Sequence, residues 1–258
     1  MIWLFDSLKK SFSSYTSNPV GFALNSLFLV FYQVLVLLAI AGLWFVVFFI
    51  ASILQIGVDS IPFLAIDALL IVMFVYFSAG IKGSYVWACN ESVEGRRVSM
   101  LEFFRYFMRK SGVFFFITLL KYFFTALFVA PVILAYLYVL VDYDVPYLDV
   151  LVYLTAALLA FLIHFMFYPA IISAAVYDTS ISRSIRGGFQ LVRKRNILAL
   201  MLYVVYAITW ILNFIPLIQL FTLFVTYPII YSAMILMFKD AVPKEMLERK
   251  VQKEVKKK

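Results

Sequence analysis

Charged and polar residues divide this chain into six long apolar stretches, at about 19–55, 62–88, 112–141, 147–177, 196–214 and 217–238. A bilayer core is crossed by about 20 mainly apolar residues in a helix. The pattern therefore predicts an all-α polytopic membrane protein with six transmembrane helices, and six crossings return both termini to one side. The apolar stretches differ in length: the first would extend about 55 Å as a helix against about 30 Å of hydrocarbon, so part of it must project or bend. The fifth is just long enough to cross, and Pro216 follows it at once, which predicts a tight final hairpin.

The segments between these stretches carry a second pattern. A basic amphipathic segment, a polar break and a helical hairpin recur three times, about 90 residues apart, with breaks at Asn18, Ser111 and Asn196. The units run 1–92, 93–178 and 179–240, followed by a basic tail, 241–258, whose Leu247, Val251 and Val255 recur at helical spacing behind Pro243. The second helix of each hairpin carries a related patch: Tyr76-Phe77-Ser78-Ala79, Tyr168-Pro169-Ala170 and Tyr227-Pro228-Ile229.

Each amphipathic segment reads as a helix lying at the interface. In the first, Phe5, Leu8, Phe12 and Tyr15 form the apolar stripe. The second opens on Ser99 followed by Glu102, the signature of a capping box, with Val98 and Phe103 placed for a hydrophobic staple. It is expected to stop at the membrane surface after Lys110. The third, about 180–195, contains Gly187-Gly188, which marks either a weak point or a place where another backbone comes close; a tolerated flaw is the simpler reading, ahead of a functional hinge.

Charge then orients the chain. Counting those able to snorkel, all 22 Lys and Arg fall on one side, through Lys9 and Lys10, 96–110, 183–195 and 239–258, while the other side receives Asp59, Asp142, Asp144 and Asp149. Short basic loops stay in the cytoplasm, so both termini are predicted inside, in the cytoplasmic membrane. The net charge of +8 is spread over membrane-adjacent segments and forms no soluble basic face, which argues against nucleic acid and for anionic lipid headgroups. The expected lipid or partner surface comprises Lys9, Lys10, Arg105, Arg109, Lys110, Arg183, Arg186, Arg193, Lys194 and Arg195. A protein partner or a second copy of the chain is the other candidate for it. The opening MIWLFDSLKK has its apolar residues before its Lys pair and no small-residue cleavage site, unlike a secretory signal. The single Cys89 excludes an internal disulfide.

Catalytic chemistry is hard to assemble. One His, one Cys and nine Gly supply neither a metal-ligand pair nor a phosphate loop, and the G-x-S-x-G elbow is missing, so no cofactor and no enzyme activity are expected. What remains is polar residues at membrane depth, where ionisable groups are costly and so candidates for function. These are Asp67, Lys121 and His164, with Gln33, Gln219, Asn25 and Asn213. Asp67 is shallow enough to reach the outer interface, and Lys121 has a stem that can snorkel towards the cytoplasm. His164 lies mid-span; an imidazole hydrogen-bonded between helices is the simpler reading, a proton-handling or ligand role with Lys121 the sharper one. Phe, Tyr and Trp make up 19% of the chain, and such rings fill lipid-facing or core positions by default.

The run YPAIISAAVYDTSISRSIRGGFQLVRKRNILALMLYVVYAITWIL, closing with LFVTYPIIYSAMILMF, resembles a broad group of uncharacterised prokaryotic, often archaeal, six-helix membrane proteins. It is similar to the membrane domain attached to some glycerophosphodiester phosphodiesterases, although nothing in the chain resembles their catalytic domain. The resemblance covers about residues 160–238 and implies the six-helix arrangement without a mechanism. Two functions compete. One is a non-catalytic membrane protein that organises lipid or binds a partner through its basic helices. The other is a permease subunit, perhaps of an ATP-driven transporter, with 99–110 and 180–195 as coupling helices.

Overall fold

The structure is a computed structural model, described for residues 2–55, 57, 60–140, 147–212 and 215–243, the side chains of 2–5, 139, 140, 210, 216 and 217 excepted. The expectations for Asp59, Asp142, Asp144 and Asn213, for the side chain of Phe5 and for the tail beyond Pro243 lie outside those residues. Among the described residues eight α-helices follow in order: α1 Ile2–Ser17, α2 Pro19–Ile53, α3 Ile61–Val93, α4 Met100–Ala135, α5 Leu148–Tyr177, α6 Ile181–Leu212, α7 Pro216–Phe221 and α8 Tyr227–Ala241. Five-residue π-helical turns, Tyr136–Leu140 and Thr222–Thr226, extend α4 and precede α8. Five helical stretches among the described residues are long and apolar enough to cross a membrane: Pro19–Ile53, Ile61–Val93, Met100–Tyr138, Leu148–Tyr177 and Ile218–Ala241.

Local chemistry sets the boundaries. Asn18 caps α2 by accepting from the Gly21 N–H, and Pro19 supplies a first-turn residue that has no N–H to satisfy. The capping box at α4 is present: the Ser99 N–H donates to Glu102 at 2.8 Å and the Glu102 N–H donates to the Ser99 hydroxyl at 3.3 Å. Val98 and Phe103, the expected staple, are both buried in the core. Asp178 ends α5 in the left-handed region, φ 53°, and turns the chain into α6.

The first amphipathic segment is a helix of its own, the third is set apart by a kink, and the second is not separate. Residues 100–110 are the start of α4, which runs through Ser111 and Gly112 without a break, and 181–195 are the start of α6. The expected stop at Ser111 fails because its hydroxyl bonds the Phe107 carbonyl one turn back, so the residue is satisfied inside the helix. In α6 the break does occur, but at Arg195 (φ −136°, ψ 40°), where the Asn196 side chain accepts from the Ile197 N–H; the segment after it, Asn196–Leu212, is shorter than the five spans above. Gly187 and Gly188 do not interrupt α6. A Cβ on Gly188 would stand 2.6 Å from the Ala170 nitrogen, so this glycine is where the α5 backbone passes, and Gly187 beside it faces the Ser173 side chain.

The three basic segments pack in a regular order. The start of α4 lies on α3, the start of α6 on α5, and α1 on α8. Each docks at or beside one of the related patches. Gly80, next to Ala79, faces the Ser111 hydroxyl; Ala170 faces Gly188; and the Ile229 carbonyl accepts from the buried Ser11 hydroxyl. On α1 the buried side is therefore Ser11 with half-buried Leu8 and Tyr15, while Phe12, placed on the same stripe by the sequence pattern, is 57% exposed.

Pro228 explains part of that seat. It has no N–H to return to the carbonyl of Leu223, five residues back, or of Phe224, four back. Ser26 donates to the first at 2.7 Å and Tyr15 to the second at 3.0 Å, so α2 and α1 satisfy carbonyls that α8 leaves open.

Burial is concentrated at the end of the bundle where these segments meet. Phe22, Tyr85, Phe103, Phe114, Ile172, Leu191, Leu202 and Phe238 are all essentially inaccessible. Six tyrosine rings, Tyr85, Tyr168, Tyr203, Tyr206, Tyr227 and Tyr231, join α3, α5, α6 and α8 there at centroid separations of 4.9 to 6.1 Å. The opposite halves carry exposed apolar residues on every long helix, among them Phe45, Leu69, Phe123 and Leu154. Only 6% of the most apolar window of α2 is buried, against 56% for Ile218–Ala241. Water would not tolerate so large an apolar surface; a bilayer does.

Candidate functional site

Helix packing brings two lysines together, Lys82 on α3 and Lys121 on α4. Because α3 and α4 run antiparallel and pack along their length, both side chains reach the same space. It is a cavity of about 290 Å³ between α2, α3 and α4, with Ile171 of α5 at its edge. Gln33, Ser78, Thr118 and Tyr122 supply its remaining polar groups.

The charge in this cavity has one sign. Among the described residues, no ion pair involves Lys82 or Lys121, and no carboxylate lines the cavity. The Lys121 ammonium lies instead over the face of Tyr122, 4.4 Å from the ring centre, a contact that offsets part of the cost of placing a cation in apolar surroundings. Two ammonium groups and several hydroxyl and amide donors make a site that accepts an oxyanion. It contains no acid, base and nucleophile in mutual reach that would do chemistry on one.

The residues singled out from sequence separate accordingly. Lys121 and Gln33 line the cavity. His164 is half-buried beside it, its ring 6.2 Å from that of Tyr122, so Tyr122 stands between His164 and Lys121. Asp67 is elsewhere, in the apolar halves of the helices, and accepts from the Trp44 indole N–H at 3.0 Å. Gln219 is exposed on α7, and its carbonyl accepts from Thr222. Asn25 donates to the Ser92 hydroxyl at 2.9 Å and ties α2 to α3. Lys82 was missed: it sits near the basic end of its apolar stretch and passes there as one more snorkelling lysine.

The basic end behaves differently. Arg109 and Lys110 pair with Asp178 at 3.5 and 2.8 Å, Arg195 with Asp240 at 3.4 Å, and Lys239 with Glu94 at 2.7 Å. Lys194 donates to the Ala241 carbonyl at 2.8 Å. Four residues assigned from sequence to a lipid or partner surface, Arg109, Lys110, Lys194 and Arg195, therefore hold helices together. Lys9, Lys10, Arg105, Arg183 and Arg193 are exposed. A shallow pocket of about 340 Å³ lined by Arg96, Arg97, Arg105 and Arg109 also contains Glu91 and Glu102, so its charge is partly balanced.

Above the dibasic cavity, between α2 and α3, runs an apolar groove of about 550 Å³, lined by Leu37, Ile40, Ala41, Leu70, Ile71 and Phe74 and reaching Trp44 and Asp67. Leu37 and Phe74 line both spaces, so groove and cavity adjoin. No protein family, curated protein or solved structure matches this chain.

Proposed function

We propose that this protein is a non-catalytic integral membrane protein of the cytoplasmic membrane that binds anionic lipid. Its polypeptide crosses six times with both termini inside, the sixth crossing being the segment after the Arg195 kink. The order in which α4 docks on α3, α6 on α5 and α1 on α8 supports a threefold repeat of basic segment and hairpin. The resemblance of residues 160–238 to six-helix membrane proteins fits the same count. At about 52 Å, α2 exceeds the hydrocarbon by about 20 Å, which suits a buried end standing in the headgroup region with its exposed cations against anionic lipid.

One observation carries the binding function: Lys82 and Lys121 share a cavity that holds no carboxylate, whereas most of the ion-paired cations stand at the basic end. Uncompensated charge at membrane depth is costly to keep and marks a site. An anion relieves that cost. The test is retention of lipid through repeated detergent washing, read by mass spectrometry. Wild-type protein is expected to keep an anionic lipid that Lys82→Gln and Lys121→Gln each release; equal retention by all three proteins would reject the function.

A permease subunit is the second reading, favoured by the same polar cavity, since a transport path needs one. Against it, the cavity adjoins a lipid-facing groove, and the proposed coupling segment 99–110 is continuous with a spanning helix. Recovery of an ATPase with the protein in mild detergent would reverse the preference.

A further inference from the structure

The cavity says what charge it takes, and the groove beside it says where the rest of the molecule goes. We infer that the occupant is a phosphomonoester lipid, its phosphate between Lys82 and Lys121 and one acyl chain laid in the α2–α3 groove towards Trp44. This rests on the lipid-binding function proposed above and adds the headgroup class, the source and the path of the chain.

Three observations converge. First, two ammonium groups with no counter-charge among the described residues match a dianionic phosphate, and the amide of Gln33 and the hydroxyl of Thr118 are at hand for its remaining lone pairs. A phosphodiester carries one charge and would leave a lysine uncompensated. Second, the cavity's 290 Å³ lies at the lower limit of ligand pockets, about 300–1,000 Å³, which suits a small headgroup. Third, the groove starts where the cavity ends, at Leu37 and Phe74, and is lined almost wholly by apolar side chains. From Lys82 to Asp67 along α3 is about 22 Å, more than the roughly 15 Å of hydrocarbon in one leaflet, so a single long chain fits alongside without leaving an apolar medium.

The source follows from the groove's exposure. Leu37 and Phe74 are 58% and 43% accessible, so the groove opens sideways to the acyl region. A chain passing from bilayer to groove exchanges one apolar surrounding for another and costs little. A soluble phosphate would have to shed its water and cross apolar surface to reach the same lysines. The bilayer is therefore the nearer reservoir.

The experiment uses the full chain in nanodiscs with phosphatidic acid carrying a diazirine midway along one chain, illuminated and mapped by peptide mass spectrometry. Crosslinks are expected within 37–44 and 67–74. Their yield should fall about tenfold in Lys82→Gln or Lys121→Gln, and by a similar factor when the probe has a phosphocholine head. Leu37→Trp, which fills the junction at an exposed position, should also lower it, and Phe74→Trp repeats the test should the first variant be unstable. Millimolar inorganic phosphate should leave the yield unchanged. Labelling spread evenly over the lipid-facing surface, or insensitive to both lysines, would overturn the inference. So would abolition by inorganic phosphate, which makes the occupant a soluble anion. If washing still shows lysine-dependent retention of an anionic lipid, the binding function stands while this assignment of head and chain falls.

Discussion

Lys121 folds onto the residue that follows it, with its ammonium 4.4 Å from the centre of the Tyr122 ring. The side chain is thereby held at the cavity. A ring face is what the cation needs, and the phenol hydroxyl is not. Tyr122→Phe should keep lipid retention near wild type, while Tyr122→Leu should weaken it by about twofold to thirtyfold, the equivalent of about 0.5–2 kcal/mol for such a contact. Titrating washed protein with labelled phosphatidic acid measures both.

His164 approaches the same ring at 6.2 Å but does not line the cavity. His164→Phe is expected to leave retention within about twofold of wild type and the melting temperature nearly unchanged, since one flat ring replaces another. Loss of binding in this variant would bring the imidazole into the site.

Gly188 and Gly112 stand on comparable helices in unlike surroundings. A methyl group on Gly188 meets the Ala170 backbone at 2.6 Å and cannot be accommodated by a rotamer change, whereas nothing lies within 4 Å of Gly112. Gly188→Ala should destabilise the protein by about 1–3 kcal/mol in detergent melts. Gly112→Ala should be neutral or stabilise by up to about 1 kcal/mol.

The Ser26 hydroxyl serves the Leu223 carbonyl that Pro228 leaves open. Ser26→Ala should therefore cost about 1–3 kcal/mol, the range for a buried acceptor left unpaired. In a Pro228→Ala background the backbone N–H returns and the penalty should shrink. A double-mutant cycle read by thermal unfolding gives the coupling, and an additive result would remove this account of the proline.

Acid should loosen the basic end. The Lys239 ammonium, hydrogen-bonded to Glu94 at 2.7 Å, holds that carboxyl below its ordinary value, with Arg96 adding to the effect. A carboxyl so depressed stabilises the fold in full above its unfolded value of about 4.3, and the contribution is lost as pH falls through the lower folded value. Both side chains are partly exposed, so the contribution is about 0.2–1 kcal/mol. Lys239→Met should lower stability by that much at pH 7 and flatten the acid limb of a melting curve run from pH 7 to 3.

The helices and their membrane character were legible because apolar length is a strong, local signal, and the capping box at Ser99 because it is written in two residues. The joints were not. Ser111 reads as a break until its hydroxyl is seen to close on Phe107, and Gly187-Gly188 reads as a flaw until Ala170 is seen against it. Both depend on a neighbour far away in the chain or on a rotamer, and neither leaves a trace in periodicity. The cavity shows the same limit. Lys121 and Gln33 stand out as polar residues at depth, but the site becomes one only when α3 turns Lys82 towards them, and a lysine near a helix end carries no mark of which way it faces.

The seat of α1 on α8 has a consequence for how the chain is made. Ser11 and Tyr15 bond carbonyls of Ile229 and Phe224, more than two hundred residues later in synthesis. The earliest helix of this chain to leave the ribosome therefore has no place to rest until the last hairpin is in the bilayer. Until then the Ser11 and Tyr15 hydroxyls lack these carbonyl partners. A polypeptide cut short before Pro228 would carry that open helix permanently, so docking of α1 reports that every preceding hairpin has been inserted.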